Sequence, residues 1–266
     1  MRRLSKVDIS KEKMNAKQTQ PEYGNWVSKR FVYFPLGIGV VLICLAFLFP
    51  TILILAVLSL LASAYFAYAR FKFSPRGGDV QCKIRALVLS NLDWDGTGRA
   101  LDIGCGNGAL TIMLAKKYPN SLVTGVDSWG KNWEYSKDKC EENAKVEGVI
   151  DRITFQKASA SSLPYPNEYF DVVVSNLTFH EVSGTPDKRE LLKEALRVAK
   201  NGARFSFQDL FLIKRAYGDT DDLVRTLKGW GLKKVEFVPT RDSQFIPKLL
   251  KLPFMVGTMG IIAGEK

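Results

Sequence analysis

The chain has 266 residues, with 38 Lys and Arg against 27 Asp and Glu, for a formal net charge of +11. That length allows one large domain or a domain with an appendage. Its single histidine and four cysteines (Cys44, Cys82, Cys105, Cys140) form no CxxC and no His cluster, which argues against a zinc site or a disulfide framework, so no metal is expected. The basic stretches are not interleaved with aromatics on a nucleic-acid module, so nucleic acid is not an expected partner.

Residues 1–30 are polar, basic and aperiodic. They read as a disordered cytoplasmic tail or as a segment drawn to anionic headgroups, with Tyr23 and Trp26 suited to a membrane interface. From Phe31 to Ala69 no residue is charged. As one helix this stretch would run to about 58 Å, against a hydrocarbon core of about 30 Å. Pro50 divides it, and the residue before a proline leaves the helical region. Phe31–Phe49 and Thr51–Ala69 are therefore expected as two spans forming a hairpin over residues 31–69. Lys29 and Arg30 flank one end and Arg70, Lys72 and Arg76 the other, which puts both ends in the cytoplasm. A shallow re-entrant hairpin is the other geometry the pattern allows. Ala62-Ser63-Ala64 resembles a signal cleavage site, but the apolar run is too long for a signal peptide.

Residues 70–78 read as a linker, ending in Pro75-Arg76-Gly77-Gly78. The folded domain is expected over 79–266. An amphipathic helix at 79–92 opens it, with Val80, Ile84, Leu87, Val88 and Leu92 on one face. Strands and helices then alternate. Strands are expected at Arg99–Ile103, Leu122–Asp127, Ile153–Lys157, Tyr169–Ser175, Arg204–Leu210, Lys233–Val238 and Gly257–Ala263. Helices are expected at Ala109–Lys117, Asn132–Val146, Lys188–Ala199 and Asp221–Trp230. This alternation predicts an α/β fold, a Rossmann-like, doubly wound and mostly parallel seven-stranded sheet covered on both faces. In such sheets the ligand lies beyond the carboxyl ends of the strands.

The segment Ala100-Leu101-Asp102-Ile103-Gly104-Cys105-Gly106-Asn107-Gly108 is such an end. A buried strand, a glycine turn and a helix start bring free backbone N–H groups to a ligand. Asp102 reads either as an acid facing a ligand ammonium or as an acid bonding the turn. Asp127 ends strand two, 21 residues after Gly106, where an acid accepts ribose hydroxyls in nucleotide-binding folds. The histidine, His180, lies just past strand four on the ligand side. It is a candidate general base, or a residue that packs against or caps the following segment.

The segments LDIGCGNG, GVD and LPYPNEYFDVVVSN, in this order, resemble a class I S-adenosylmethionine-dependent methyltransferase over residues 80–266. The third glycine comes one position sooner than in the dehydrogenase pattern, which suits a cofactor without a pyrophosphate. The resemblance implies S-adenosyl-L-methionine as cofactor. Gly104, Cys105, Gly106 and Gly108 would line its methionine part, Asp127 its ribose, and Ser128 or Trp129 its adenine, with Asn176 closing the methionine side. Family members often carry an acid after strand three; here that place holds Ser159, next to Ala160. Asp171 matches the motif but enters strand four from the far end, and reads as a turn contact. Tyr165, Trp129 and Phe179 could offer rings to the sulfonium or serve as packing.

Residues 245–254 read as a lid touching the bilayer or as a buried connection. Together these features predict a multi-pass protein of the cell membrane with its catalytic domain in the cytoplasm, moving a methyl group to a small or lipid-like acceptor. The alternative is a non-catalytic membrane-bound sensor or scaffold that binds the same cofactor.

Overall fold

The computed structural model describes residues 20–130 and 135–266. Two long helices come first, α1 (Lys29–Ala46) and α2 (Leu53–Phe73), joined through a single 3-10 turn at Pro50–Ile52. They run antiparallel. Ser63 Oγ donates to the Val32 carbonyl at 2.8 Å and Ser59 Oγ to the Pro35 carbonyl at 2.7 Å. Gly39 lies against Leu60, where a Cβ would come within 2.7 Å of the side chain. Small residues and hydroxyls at a helix contact are the usual means of close apposition where apolar side chains gain nothing from meeting each other. Both helices are long and apolar enough to cross a membrane, and only 6% and 17% of their most apolar windows are buried within the chain. Their outward side chains, Phe34, Val41, Ile54 and Leu61 among them, face away from any protein.

Two expectations for this region are corrected. Arg70–Phe73, read as the start of a linker, are the last turn of α2, and Phe73 is fully buried. The chain then reverses within Ser74–Gly78, where Gly77 packs so close to the Phe71 carbonyl that a Cβ would come within 1.8 Å of its oxygen. The junction is therefore a tight turn with no slack.

The second correction concerns residues 20–28. Read as tail, they form an ordered strap across the domain. Glu22 N donates to Asn143 Oδ1 at 2.8 Å, and Asn143 Nδ2 returns to the Glu22 carbonyl at 3.1 Å. Gln81 Nε2 donates to the Gly24 carbonyl at 2.9 Å, and Arg70 reaches the Val27 carbonyl. Tyr23 and Trp26 face inward, so neither sits where an interfacial aromatic would. Two long-range side-chain amides meet backbone groups that a short periodic pattern could not reveal. Residues 1–19 lie outside the described residues.

Helix α3 (Val80–Ser90) opens the α/β domain. There follow β1 (Gly98–Ile103), α4 (Ala109–Lys117), β2 (Ser121–Asp127), α5 (Lys137–Val146), β3 (Ile153–Lys157), β4 (Phe170–Asn176), α6 (Arg189–Arg197) and β5 (Ala199–Asp209). The short α7 (Lys214–Tyr217), α8 (Thr220–Gly229), β6 (Lys234–Pro239) and β7 (Gly260–Glu265) complete it. The helix expected from Asn132 begins only at Lys137, because Ser136 is extended and caps it by accepting from Lys139 N at 3.2 Å; residues 132–134 lie outside the described residues. The seven strands form one sheet in the order β3-β2-β1-β4-β5-β7-β6, parallel except for β7. Order reverses between β1 and β4, the place where such sheets open a crevice. Val172, Val173 and Val174 are fully buried between helical layers, each worth about 1.5–3 kcal/mol of burial. Strand β7 starts three residues later than expected because Pro253–Gly257 forms a π turn.

Candidate active site

A cavity of about 780 Å³ opens beyond the carboxyl ends of β1, β2 and β4. This is in the upper part of the range of about 300–1,000 Å³ for small-molecule sites. Its floor is the glycine turn. Gly104 has φ +74, and a Cβ there would lie 1.9 Å from Thr178 Oγ1, so both conformation and space demand glycine. Thr178 is held in that position by its hydroxyl, which donates to the Ile103 carbonyl at 3.0 Å. Ser175 Oγ donates to the same carbonyl at 2.8 Å. The ends of β1 and β4 are thereby locked together under the turn.

Asp127 lines the cavity, with Oδ2 accepting from Gly106 N at 2.9 Å and Oδ1 from Trp129 N at 2.8 Å. A carboxylate has about four lone-pair sites, so each oxygen keeps one for a ligand hydroxyl. Ser128 also lines the cavity. Trp129 does not: its indole Nε1 donates to the Gly106 carbonyl at 2.9 Å, which turns the ring into the turn's support. Ser159 and Ala160 line the same end. The Ser159 hydroxyl is shared with Ser161 at 2.7 Å. Cys105 lines the floor, and burial pushes its thiol up.

Asp102 also lines the cavity, is almost fully buried, and accepts from Thr111 Oγ1 at 2.6 Å. Burial pushes its carboxyl up to about 7. Two further groups join it, and of these sequence reasoning did not single out Arg85. Arg85, on α3, is buried and lines the cavity, with its guanidinium 5.2 Å from the Trp26 ring centre and no ion pair among the described residues. Asn176 lines the cavity too, and its Oδ1 is buried with no hydrogen-bond partner. A lone buried guanidinium, a buried carboxyl and an orphaned carbonyl oxygen are the donor set for a zwitterionic amino acid. The guanidinium matches a carboxylate, and the two acceptors match an ammonium.

His180 sits on a 3-10 turn (Phe179–Glu181) at the cavity wall. Its Nδ1 lies 2.7 Å from Asp209 Oδ1, and Nε2 is 3.7 Å from Glu181 Oε1. Burial alone would lower the imidazole pKa, but the Asp209 hydrogen bond and charge outweigh it and the pKa is raised. Burial likewise raises Glu181. Asp209 ends β5, is fully buried, and accepts from the backbone N–H groups of Thr178 at 3.1 Å and Phe179 at 2.7 Å. An acid at a strand end on the ligand side was the one clue to it. With Nδ1 donating to Asp209, Nε2 is left as the proton acceptor.

The three rings proposed for a sulfonium fall outside the cavity. Tyr165 stacks on Tyr169 and meets Phe170 edge-on, held by Arg197, which donates to the Tyr165 carbonyl at 2.8 Å. Phe179 is fully buried against Phe207. Asp171 lies at the far end of the sheet, accepting from Arg99 N at 2.8 Å and pairing with Lys200. The aromatics that line the cavity are instead Tyr23 and Trp26 of the strap, Tyr135, Phe31, Phe66, Phe73 and Phe254.

The 245–254 segment is in part the buried connection that was one reading of it, and in part exposed. Ile246 and Leu250 are buried against Phe73 and Ile84, whereas Leu249, Leu252 and Phe254 are exposed. Among the described residues no group of His, Cys, Asp and Glu could hold a metal.

Residues 101–207 match the model of a methyltransferase-domain family. The chain is 35% identical over 127 residues to the 27-O-demethylrifamycin SV methyltransferase of Amycolatopsis mediterranei, covering 48% of this chain and 44% of that protein. It is 28% identical over 139 residues to the ubiquinone/menaquinone biosynthesis C-methyltransferase of Geotalea daltonii, covering 50% of this chain and 56% of the other. The chain thus spans about half the length of these curated relatives. Its fold is similar to that of the geranyl diphosphate C-methyltransferase of Streptomyces coelicolor, solved with S-adenosyl-L-homocysteine, with a TM-score of 0.53 at 15% identity over 72% of this chain and 85% of that one.

Proposed function

Since the chain carries a class I S-adenosylmethionine-dependent methyltransferase domain, we propose that it moves a methyl group to a small, apolar acceptor while anchored in a membrane by the α1–α2 hairpin. The observation that carries the first part is the cavity's donor set at the glycine turn. Arg85 would hold the cofactor carboxylate, Asp102 and Asn176 its ammonium, and Asp127 its ribose, with Ser128, Ser159 and Ala160 around the base.

When bound, the cofactor supplies an electrophilic methyl carbon on a sulfonium and departs as a neutral thioether. The chain's own residues position, desolvate and deprotonate. Because the sulfonium is already activated, most of the gain comes from holding the acceptor in line and excluding water. Tyr23 and Trp26 of the strap and the aromatic wall line the cavity and take up part of the space that water would otherwise fill. His180 Nε2 takes the proton that the acceptor atom loses, and Asp209 fixes the tautomer and stabilises the imidazolium. Asp209 is thus a positioning residue.

Membrane anchoring rests on the length and outward apolar surface of α1 and α2. Positive charge at Lys29, Arg30, Lys72 and Arg76 clusters at their shared end. An apolar acceptor follows from the cavity's second half and from the relatives named for rifamycin and quinone biosynthesis. The test is purified full-length protein in detergent, titrated with S-adenosylhomocysteine, then supplied with methyl-tritiated cofactor and a membrane extract. Binding followed by label in the organic phase is expected. Binding with no transfer to any extract would reduce the protein to a cofactor-binding module.

A further inference from the structure

The cavity lining has a second, apolar arm beyond the groups assigned to the cofactor. Besides His180, this arm takes in Leu210, Met255 and Met259 together with Phe31, Phe66 and Phe254. Those three rings belong to three elements: the first turn of α1, the lower part of α2 and the Pro253–Gly257 π turn. Phe31 stacks on Phe66 at 5.3 Å, and Phe254 meets Phe66 at 6.5 Å and Tyr65 at 5.6 Å. The Tyr65 hydroxyl donates to the Leu249 carbonyl at 3.0 Å, tying the π-turn segment to the helix.

The opening of this arm has an unusual chemistry. Phe31 is 55% exposed and Phe254 64% exposed, and Leu249 and Leu252 of the same segment as Phe254 are exposed as well, as are the outward apolar side chains of the two helices. A port for a water-soluble acceptor would place polar groups at its rim, since contiguous exposed aromatics cost free energy in water. Here the charged residues of the same segment, Lys248 and Lys251, flank the apolar ones, the arrangement of a surface that rests at the headgroup level. Two methionines in the wall supply an unbranched, deformable lining that accommodates chains of varied shape. Single π turns occur most often at functional positions, and this one presents Phe254 outward while burying Val256.

We propose that this arm is a lateral port for a single-tailed membrane amphiphile, with the tail lying along the wall formed by Phe31, Phe66 and Phe254 and the reactive head brought to His180 Nε2. The inference rests on the reading of the chain as a membrane-anchored methyltransferase and assigns the acceptor's shape and route. Isoprenoid and acyl tails share the chemistry that the port recognises. The head carries a hydroxyl or comparable group whose proton passes to His180 as the new bond to the methyl carbon forms and the carbon–sulfur bond breaks.

The test uses full-length protein in phosphatidylcholine vesicles with two photoprobes. Each is a phenol bearing a diazirine at the tail end, one on a farnesyl chain and one on a hexadecyl chain. After irradiation, the port predicts label concentrated on peptides containing Phe31, Phe66 or Phe254. Phe254→Asp should cut that label at least tenfold, while S-adenosylhomocysteine affinity stays within twofold. A probe that labels with only one tail identifies the tail class. Label spread evenly along the outer faces of α1 and α2, or unchanged in Phe254→Asp, overturns the port. Loss of S-adenosylhomocysteine binding in the unsubstituted protein would instead strike the underlying enzyme reading, so the two failures are distinguishable.

Discussion

The two halves of the cavity are built by different means. The half proposed for the cofactor is made mostly by strand ends: Gly104, Asp127 and Asn176 are held by the parallel sheet, and backbone amides and side-chain hydrogen bonds fix the glycine turn and Asp127. The half proposed for the acceptor is made by segments that come from far apart in the chain: the first turn of α1, the aromatic end of α2 and the turns between β6 and β7, with the strap at 20–28 lying over both halves. The first is rigid and chemically explicit. The second is apolar, assembled by side chains, and joined directly to the helices that face away from the protein. Strand ends are suited to holding a constant cofactor, and an apolar wall to admitting a variable acceptor.

The difference can be broken most forcefully from the rigid side. Gly104→Ala places a Cβ 1.9 Å from Thr178 Oγ1 at a left-handed backbone position, so S-adenosylhomocysteine binding should be lost in calorimetry and thermal unfolding should come earlier. Next in size is His180→Ala, for which methyl transfer should fall by roughly 100- to 10,000-fold with cofactor affinity unchanged. In the unsubstituted enzyme the rate should rise with pH through a value above the ordinary histidine pKa, because Asp209 raises it and the neutral imidazole is the active form. Asp209→Asn should move that inflection to lower pH, which a purely structural role would not do.

Arg85→Leu sharpens the same comparison within the cofactor half. It should weaken S-adenosylhomocysteine by roughly ten- to a hundredfold, the worth of a charged hydrogen-bonded pair. Methylthioadenosine, which lacks the amino-acid tail, should bind equally to both forms. The smallest effect concerns Asp102. Its folded pKa of about 7 lies above the ordinary carboxylate value, so the free protein loses stability as pH rises through that window. A ligand ammonium favours the charged form, so binding should release a proton and cofactor affinity should rise as pH passes about 7. Calorimetry in two buffers of different ionisation enthalpy reads this directly, and Asp102→Asn should abolish it.

The halves also differ in how far they could be read before folding. The glycine turn, Asp102 and Asp127 are local: each sits at a fixed distance from a strand end that hydrophobic patterning marks, so their places followed from spacing. Arg85 did not stand out because it occupies an amphipathic helix, where an arginine ordinarily faces water; only the closure of the strap over it reveals that it is buried. Asp209 was hidden at the end of a strand whose partner, His180, lies 29 residues earlier. Tyr23 and Trp26 were assigned to a membrane interface because aromatics near an apolar span usually belong there, whereas Gln81 and Asn143 draw that segment over the cavity. Leu249 and Leu250 read alike in sequence, yet one is exposed and the other fully buried, a distinction set by which side of a 3-10 turn each occupies.

The most direct measurement of the central claim is methyl transfer by the full-length protein in phosphatidylcholine vesicles, given methyl-tritiated cofactor and a fractionated membrane extract. The account predicts that label passes to an organic-soluble species, and that His180→Ala stops the transfer while leaving cofactor binding intact. Label recovered in a water-soluble product alone, or a cofactor that binds and is never consumed, would contradict it.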